Sequence, residues 1–591
     1  MCGIHVVLSA APAPQRHDVS ASPELKSRLC NRGPDYFGQV ERQHAQTGWA
    51  LKFTSTVLAL RGDHVTRQPL SAPNGSVLCW NGEAWRIGSR VVGAHENDGE
   101  AILALLVNVA SASSSDKDNA NDVLDVFRSI EGPFAFVYYD QPSGKLFFGR
   151  DRLGRRSLMM RLDAFKEGLV LSSIAERCDQ NWEEVEADGI YFVDLSLPPP
   201  QEQFPTFPAR RKWKWLDGSS PDFVSTWIRG RRASFRSLFV SGIGPFNKYI
   251  PGPGDATPLT ASSPAVAMLK DNLLDSLRLR VLDIPQPPLP TDGMSSSATE
   301  TRVAVLFSGG LDCTVLARLA HEILEADQAI DLLNVAFENP RVVAQLKKEA
   351  KEGEVIDFYE ACPDRITGRR SFAELEKVCP GRTFRFVSVN IPYEETVAHR
   401  KEVISLIYPH NTEMDLSIAY ALYFAARGHG YCPESSHPDS QQQAYTSPAR
   451  VLLSGLGADE LFGGYSRHPA AFASRGYRGL VDELLLDVGR LGKRNLGRDD
   501  RVMSHWGKEV RFPFLDERLV GWAMRTPVWD KCNFEDGGET TGVEAGKRVL
   551  RLLALELGME SVAKEKKRAI QFGTRTAKME SGRVKGTTLI R

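Results

Sequence analysis

The segment VAVLFSGGLDCTVLARLA, residues 303–320, narrows the possible folds more than any other part of the chain. An apolar run reads as a buried strand, Ser308-Gly309-Gly310 as a tight turn, and a helix follows at once around Asp312. Two glycines let backbone N–H groups approach an anion, and the helix N-terminus adds partial positive charge. Such a turn suits phosphates. No G-x-x-x-x-G-K-[ST] pattern occurs, so transfer of a γ-phosphate is not implied.

The surrounding sequence repeats this grammar. Near-continuous apolar runs at 302–307, 331–337, 383–390 and 450–455 are separated by helical segments. One of these, HNTEMDLSIAYALYFAARG, has a Thr412-x-x-Asp415 capping box and ends at Gly428. Buried strands alternating with helices predict an α/β region with a parallel sheet covered on both faces. Its last strand leads into LLSGLGADELFGGYSRH (452–468), where Ser454, Gly455 and Gly457 again follow a strand and Asp459-Glu460 stand beside a glycine-rich turn. Strand-end loops of an open parallel sheet converge at its carboxyl edge. Asp312 and Asp459 are therefore candidate ligands for a Mg2+ ion bridging phosphates, since hard oxygens suit that ion. The tail beyond about residue 470 is expected to be mostly helical, and 432–447 to be a surface loop.

The first 230 or so residues read differently. VLALRG (57–62), SVLCWNGE (76–83), PFAFVYYD (133–140) and KLFFGRD (145–151) are short strands bounded by turn residues. One helix, NDGEAILALLVNVA, carries acids in its first turn and then presents Ile102, Leu103, Leu105 and Leu106. An α+β arrangement follows, antiparallel sheets with helices against them. Between the halves lie Pro/Gly/Ser/Thr-rich stretches around one helix, AVAMLKDNLLDSLRLRVL, with Leu269, Leu273, Leu277 and Val281 on one face. The expected domains are 2–230, a linker with its connecting helix over 231–300, and 301–591, as suits a chain of 591 residues.

Bulk properties exclude several classes. A net charge of −1 offers no excess of basic residues for nucleic acid or an anionic membrane. The nine cysteines are dispersed, without C-x-x-C or zinc spacing, as in a reducing compartment. No apolar stretch approaches the ~20 residues that span a bilayer, and the N-terminus lacks a basic n-region. A cytoplasmic protein is expected, with no membrane or nucleic-acid partner and a homo-oligomer left open.

Family resemblance sharpens this. The SGGLDC turn resembles the SGGxDS pyrophosphate loop of enzymes that split ATP into AMP and pyrophosphate, with Cys313 in place of serine. SGLGADELFGGY, TEMDLSIAYALYFAARG, HWGKEVRFPFLDE and GKRVLR are similar to landmarks of the asparagine synthetase family. That resemblance implies MgATP held by Ser308, Gly309, Gly310, Asp312, Cys313, Ser454 and Gly455, with Val335 also at the nucleotide. It implies adenylation of aspartate or a related carboxylate, and displacement of AMP by ammonia. Leu456 stands where the family carries a glutamate proposed to manage protons at amide formation. KEKKRAIQFGTR offers Lys567 or Arg568 against phosphate charge, or is a solvated basic surface.

MCGI resembles the start of class II glutamine amidotransferases, Ntn-type enzymes whose processed first residue is the nucleophile. A free α-amine with a pKa of about 8 can take the thiol proton of Cys2 without another residue. CNRGPD (30–35), WNGE, ENDGEAIL and GRDRLGRRSL (149–158) follow in family order. The resemblance assigns Asn81 and Gly82 to the oxyanion hole and Asp98 to the glutamine α-amine. The family's carboxylate-clamping arginine falls on Val57, and Arg61, four residues on, is the candidate substitute. The motif set resembles the asparagine synthetase domain-containing branch more than the housekeeping enzymes. The expected activity is a glutamine-dependent ligase using ATP and Mg2+; a non-catalytic binding protein of the same fold is the alternative.

Overall fold

The computed structural model describes residues 2–10, 21–112, 120–163, 168–176, 181–196, 209–212, 246–252, 258–285, 301–351, 356–433, 442–535, 542–579 and 585–590. Two compact units emerge: Met1–Gly244 with Gly489–Gly507, and Pro245–Val488 with Lys508–Arg591.

In the first unit the strand Gly3–Ala10 lies inside a six-stranded sheet, antiparallel to Gly168–Ser172 on one side and Trp49–Val57 on the other. A second six-stranded sheet contains Val77–Gly82, Phe134–Asp140 and Lys145–Arg150. Ile4, Val6 and Leu8 of the first sheet bury against Val77, Cys79, Val137 and Tyr139 of the second. The other face of the second sheet, with Trp80, Phe134 and Phe136, packs on Ile102, Leu106 and Phe127 of the helices Asp98–Ala112 and Ala120–Arg128. This is the α+β arrangement expected, two antiparallel sheets face to face with helices outside.

VLALRG departs from its expected strand. The strand stops at Val57, and the N–H of Ala59 donates to Asp35 Oδ2 at 2.8 Å instead of to a ladder partner. Leu58 and Leu60 are apolar because they are buried, not because they belong to a sheet.

In the second unit seven strands run in the order Gln442–Thr446, His429–Pro433, Phe384–Ile391, Ile330–Phe337, Val303–Leu306, Val451–Leu453, Glu509–Arg511. The last five are parallel and the first two add an antiparallel edge. The loop expected over 432–447 is thus flanked by a strand pair, while residues 434–441 lie outside the described ones. Glu509–Arg511 is a strand inside the stretch expected to be helical. Three residues hold no period to read, and its charges are buried as an internal pair, Arg511 Nε to Glu509 Oε1 at 2.6 Å.

The helix Pro264–Val281 is core rather than linker. Leu269, Leu273, Leu277 and Val281 are buried, and it packs on the helices Leu311–Ile323 and Arg548–Glu556. The segment 489–507, expected within the C-terminal domain, belongs to the first unit. Thr412 caps the helix Glu413–Arg427 by accepting from the N–H of Asp415, and Gly428 ends it at φ 71°.

Candidate active sites

Cys2 begins the central strand Gly3–Ala10 and is buried. Its backbone N–H donates to Asn81 Oδ1 at 3.0 Å, and its carbonyl accepts from Arg32 Nε at 3.4 Å. That first contact orients the Asn81 amide. The Nδ2 group, buried and without a partner, is left to donate to an incoming acceptor. A buried donor without a partner costs about 1–3 kcal/mol, which an acceptor brought beside Cys2 would offset. Gly82 is held against the next strand: a Cβ there would lie 2.6 Å from Phe134 Cβ and from the Pro133 carbonyl oxygen.

Asp98 is buried at the start of its helix, its carboxylate accepting from Trp80 Nε1 at 3.0 Å and from the N–H of Ala84 at 2.8 Å. Burial pushes its pKa above the ordinary carboxylate value, opposed by the nearby Arg61. Arg61 pairs with Glu83 through Nε at 2.9 Å and stacks on Trp85 at 5.1 Å. Val57 fills a buried strand end.

Two further contributors carried no role in the sequence reading. Gln68 offers its Nε2 to Cys2 Sγ at 3.8 Å, fixed by an Oε1 that accepts from the N–H of Trp80 at 2.9 Å. Arg32, fully buried, joins the Cys2 carbonyl to Asp500 Oδ2 at 3.0 Å and to the Ser504 hydroxyl. Arg32 was visible inside CNRGPD. Nothing local in GRDDRVMS marks Asp500 as its partner.

In the second unit the loops after Val303–Leu306 and Val451–Leu453 touch. A Cβ on Gly455 would lie 2.8 Å from Asp312 Cβ. Gly309 sits at φ 77°, and a Cβ there would strike Gly368 at 2.5 Å, so both conformation and crowding require glycine. Ser308 Oγ accepts from the N–H of Gly310 at 3.3 Å, and the Cys313 thiol donates to the Gly310 carbonyl at 3.3 Å. Burial raises the Cys313 pKa, leaving a neutral thiol that tightens the turn much as a serine would. Ser454 Oγ accepts from the N–H of Leu456 at 3.3 Å, and Val335 is buried on the neighbouring strand.

Asp312 and Asp459 converge on one cation. The Lys547 ammonium lies 2.8 and 2.9 Å from the two Asp312 oxygens and 2.9 Å from Asp459 Oδ1. The Lys567 ammonium holds the other Asp459 oxygen. Burial alone would raise the Asp459 pKa, but the two ammonium groups override it and hold the carboxyl well below its usual range. Burial alone would likewise lower Lys547, and the two carboxylates hold it above its ordinary value instead. Lys547 stands at φ 54°, a region that costs a non-glycine residue roughly 1–2 kcal/mol, and its N–H is tied to the Phe462 carbonyl at 2.9 Å. Within GKRVLR it looks like an ordinary helix start.

Two carboxylates around one positive centre fit Mg2+, which binds through one or two protein carboxylates and takes its other ligands from water and phosphate. No group of three His, Cys, Asp or Glu side chains that could hold a metal is found among the described residues. None of their helices is long and apolar enough to cross a membrane.

Comparison with known proteins bears on both units. The family model described as Glutamine amidotransferase domain matches residues 58–178, and that described as Asparagine synthase matches 441–482 and 473–588. Asparagine synthetase domain-containing protein 1 of Bos taurus is 34% identical over 653 residues, covering 99% of this chain and 97% of its own. An asparagine synthetase domain-containing protein of Saccharomyces cerevisiae is 31% identical over 572 residues, covering 95% and 90%. Asparagine synthetase B (glutamine-hydrolyzing) of Escherichia coli is 22% identical over 517 residues, covering 86% and 72%.

Proposed function

The chain belongs to the asparagine synthetase domain-containing proteins, and from that premise we propose that it is a glutamine-dependent, amide-forming ligase. After removal of Met1, the Cys2 α-amine takes the thiol proton and the thiolate attacks the side-chain amide of glutamine. Asn81 Nδ2 and the Gly82 N–H donate to the oxyanion, a role supported by the unpartnered Nδ2. Asp98 accepts from the glutamine α-amine and Arg61 pairs with its carboxylate. The α-ammonium gives its proton to the departing nitrogen, ammonia leaves, and water releases glutamate from the thioester, restoring the thiol.

In the second unit a carboxylate oxygen of aspartate, or of a related acid, attacks the α-phosphorus of ATP. Backbone N–H groups of the Ser308–Gly310 turn receive the departing pyrophosphate. Asp312 and Asp459 would hold Mg2+, whose chemistry there would be to neutralise phosphate charge. Lys547 and Lys567, already at those carboxylates, add cationic charge against the phosphates. Ammonia then displaces AMP from the acyl-adenylate.

The observation that carries this reading is the meeting of the two glycine loops, with both aspartates on one cation. Its test is exchange of labelled pyrophosphate into ATP in the presence of aspartate and a panel of other carboxylates. Exchange is expected with at least one, falling to background in Asp312→Ala. A second reading, a binding protein that has lost synthesis, is favoured by Leu456 in the second loop; it wins if no carboxylate supports exchange.

A further inference from the structure

Amide formation releases a proton, and the two loops offer no free base to take it. Leu456, central in the second loop, is apolar. Asp312 and Asp459 are both paired with lysines, and Glu460 accepts the Tyr465 hydroxyl at 2.6 Å. A fourth acid lies beside the phosphate turn. Asp364 occupies the first turn of the helix Pro363–Val378 and is buried.

One turn further along that helix, Gly368 meets Gly309, and Ser371 Oγ donates to the Gly309 carbonyl at 2.7 Å. Residues 364, 368 and 371 share one helix face, so Asp364 stands at the edge of the wall that backs the turn. Asn334 fixes the arrangement: its Nδ2 donates to the carbonyls of Phe307 and Asp364, both at 2.9 Å. Phe307 is the residue before Ser308.

The Asp364 carboxylate faces Arg568 at 3.6 Å, and Arg568 also donates to Thr367 Oγ1 at 3.3 Å. The adjoining Lys567 holds Asp459. The basic pair therefore spans from Asp364 to the second loop. On its other side Asp364 lies against Gly573, where a Cβ would come within 2.0 Å of Oδ1. Only glycine leaves the carboxyl room.

We propose that Asp364 is the proton acceptor of the amide-forming step. The proposal rests on the ligase reading above. The ammonia lone pair bonds to the acyl carbon and the carbonyl pair moves to oxygen. A proton then passes from nitrogen to Asp364 Oδ. The carbonyl re-forms, the bond to the phosphate oxygen breaks, AMP leaves with the electron pair, and Asp364 returns its proton to water.

The groups facing Asp364 fit this role. Burial pushes its pKa up to about 7, against the lowering effect of Arg568 and Lys567. Cys362, beside it, is pushed up to about 11 by burial, so it remains a neutral thiol donating to the Gly573 carbonyl. A base near neutrality is the strength at which proton transfer is efficient.

The test uses the full chain with ATP, Mg2+ and the carboxylate that supports exchange, and ammonium chloride at constant free ammonia. In Asp364→Asn, pyrophosphate exchange stays within about threefold of wild type while amide formation falls by ~10²–10⁴. The rise of amide formation through pH 7 disappears with it. If Asp364→Asn does not fold, Asp364→Ala, which only removes atoms from the tight site, carries the test, with amide formation reduced more than exchange. Equal loss of both activities, or undiminished amide formation, overturns the assignment while leaving the ligase reading intact. A wild type that exchanges no pyrophosphate, or exchanges it but makes no amide, overturns both.

Discussion

Beside Cys2 the donors that would meet the developing charge, Asn81 Nδ2 and the Gly82 N–H, are neutral, whereas Asp312, Asp459, Lys547 and Lys567 are charged and already paired with one another. Asn81 gives one hydrogen bond through its oxygen and keeps its NH2 unpartnered. Asp312 and Asp459 meet Lys547 from two loops, and Lys567 holds Asp459 again. A thiol site needs donors waiting where negative charge will develop. A phosphate site faces permanent charge, and without phosphate its cations must be balanced by its own acids. An acceptor at the first would engage Asn81 Nδ2 directly; phosphate at the second would compete with the aspartates for Lys547 and Lys567.

The largest effect that would sharpen this contrast is on folding. Lys547→Met leaves the buried Asp459 and the part-buried Asp312 without their shared cation, and should destabilise the second unit by roughly 3 kcal/mol in denaturant unfolding. A loss under 1 kcal/mol would mean the charges were never dependent on that pairing. Next is Asn81→Ala, which removes a donor without removing a charge. It takes the acceptor from the Cys2 N–H, so it should cost about 1–3 kcal/mol in unfolding and lower kcat for glutamine hydrolysis by ~10²–10³. A change confined to KM would instead make Asn81 a substrate-binding group.

The smallest effect concerns pH. His5, three residues beyond Cys2, is buried, and its pKa is pushed down to about 4 by burial, outweighing the nearby Glu176, with Arg161 and Lys52 lowering it further. The unfolded chain binds this proton near pH 6.5 and the folded chain does not until about 4, so stability falls as pH drops through that window. The loss amounts to about 3 kcal/mol at most. His5→Leu should flatten the acid side of the melting profile; an unchanged slope would place the acid sensitivity elsewhere.

How much of this was legible beforehand follows the reach of each signal. Strand, turn and helix around Ser308–Asp312 lie within a few residues, so periodicity and glycines disclosed them. Cys2 and Asn81 are 79 positions apart, and only their separate motifs, read by resemblance, brought them together. Lys547 and Asp312 are 235 apart, and Arg32 and Asp500 are 468 apart. Neither Lys547 nor Asp500 leaves a local trace, since a lysine opening a helix and an acid within one are ordinary on any surface. Asp364 was missed for the same reason: CPDR reads as a plain helix N-terminus. The helix Pro264–Val281 shows the converse. Its apolar face was correct, but the loose composition around it suggested a linker, and burial of that face is what makes it core.

In the proposed synthesis two different sites act together, with nitrogen released at Cys2 and consumed where Asp312 and Asp459 meet. The most direct test follows amide nitrogen in the product, using 15N-amide glutamine or 15N-ammonium with ATP, Mg2+ and the carboxylate found by exchange. Wild-type protein should incorporate label from either source, and Cys2→Ala from ammonium alone at an undiminished rate. Label still arriving from glutamine in Cys2→Ala, or none arriving from either source in wild type, would contradict it.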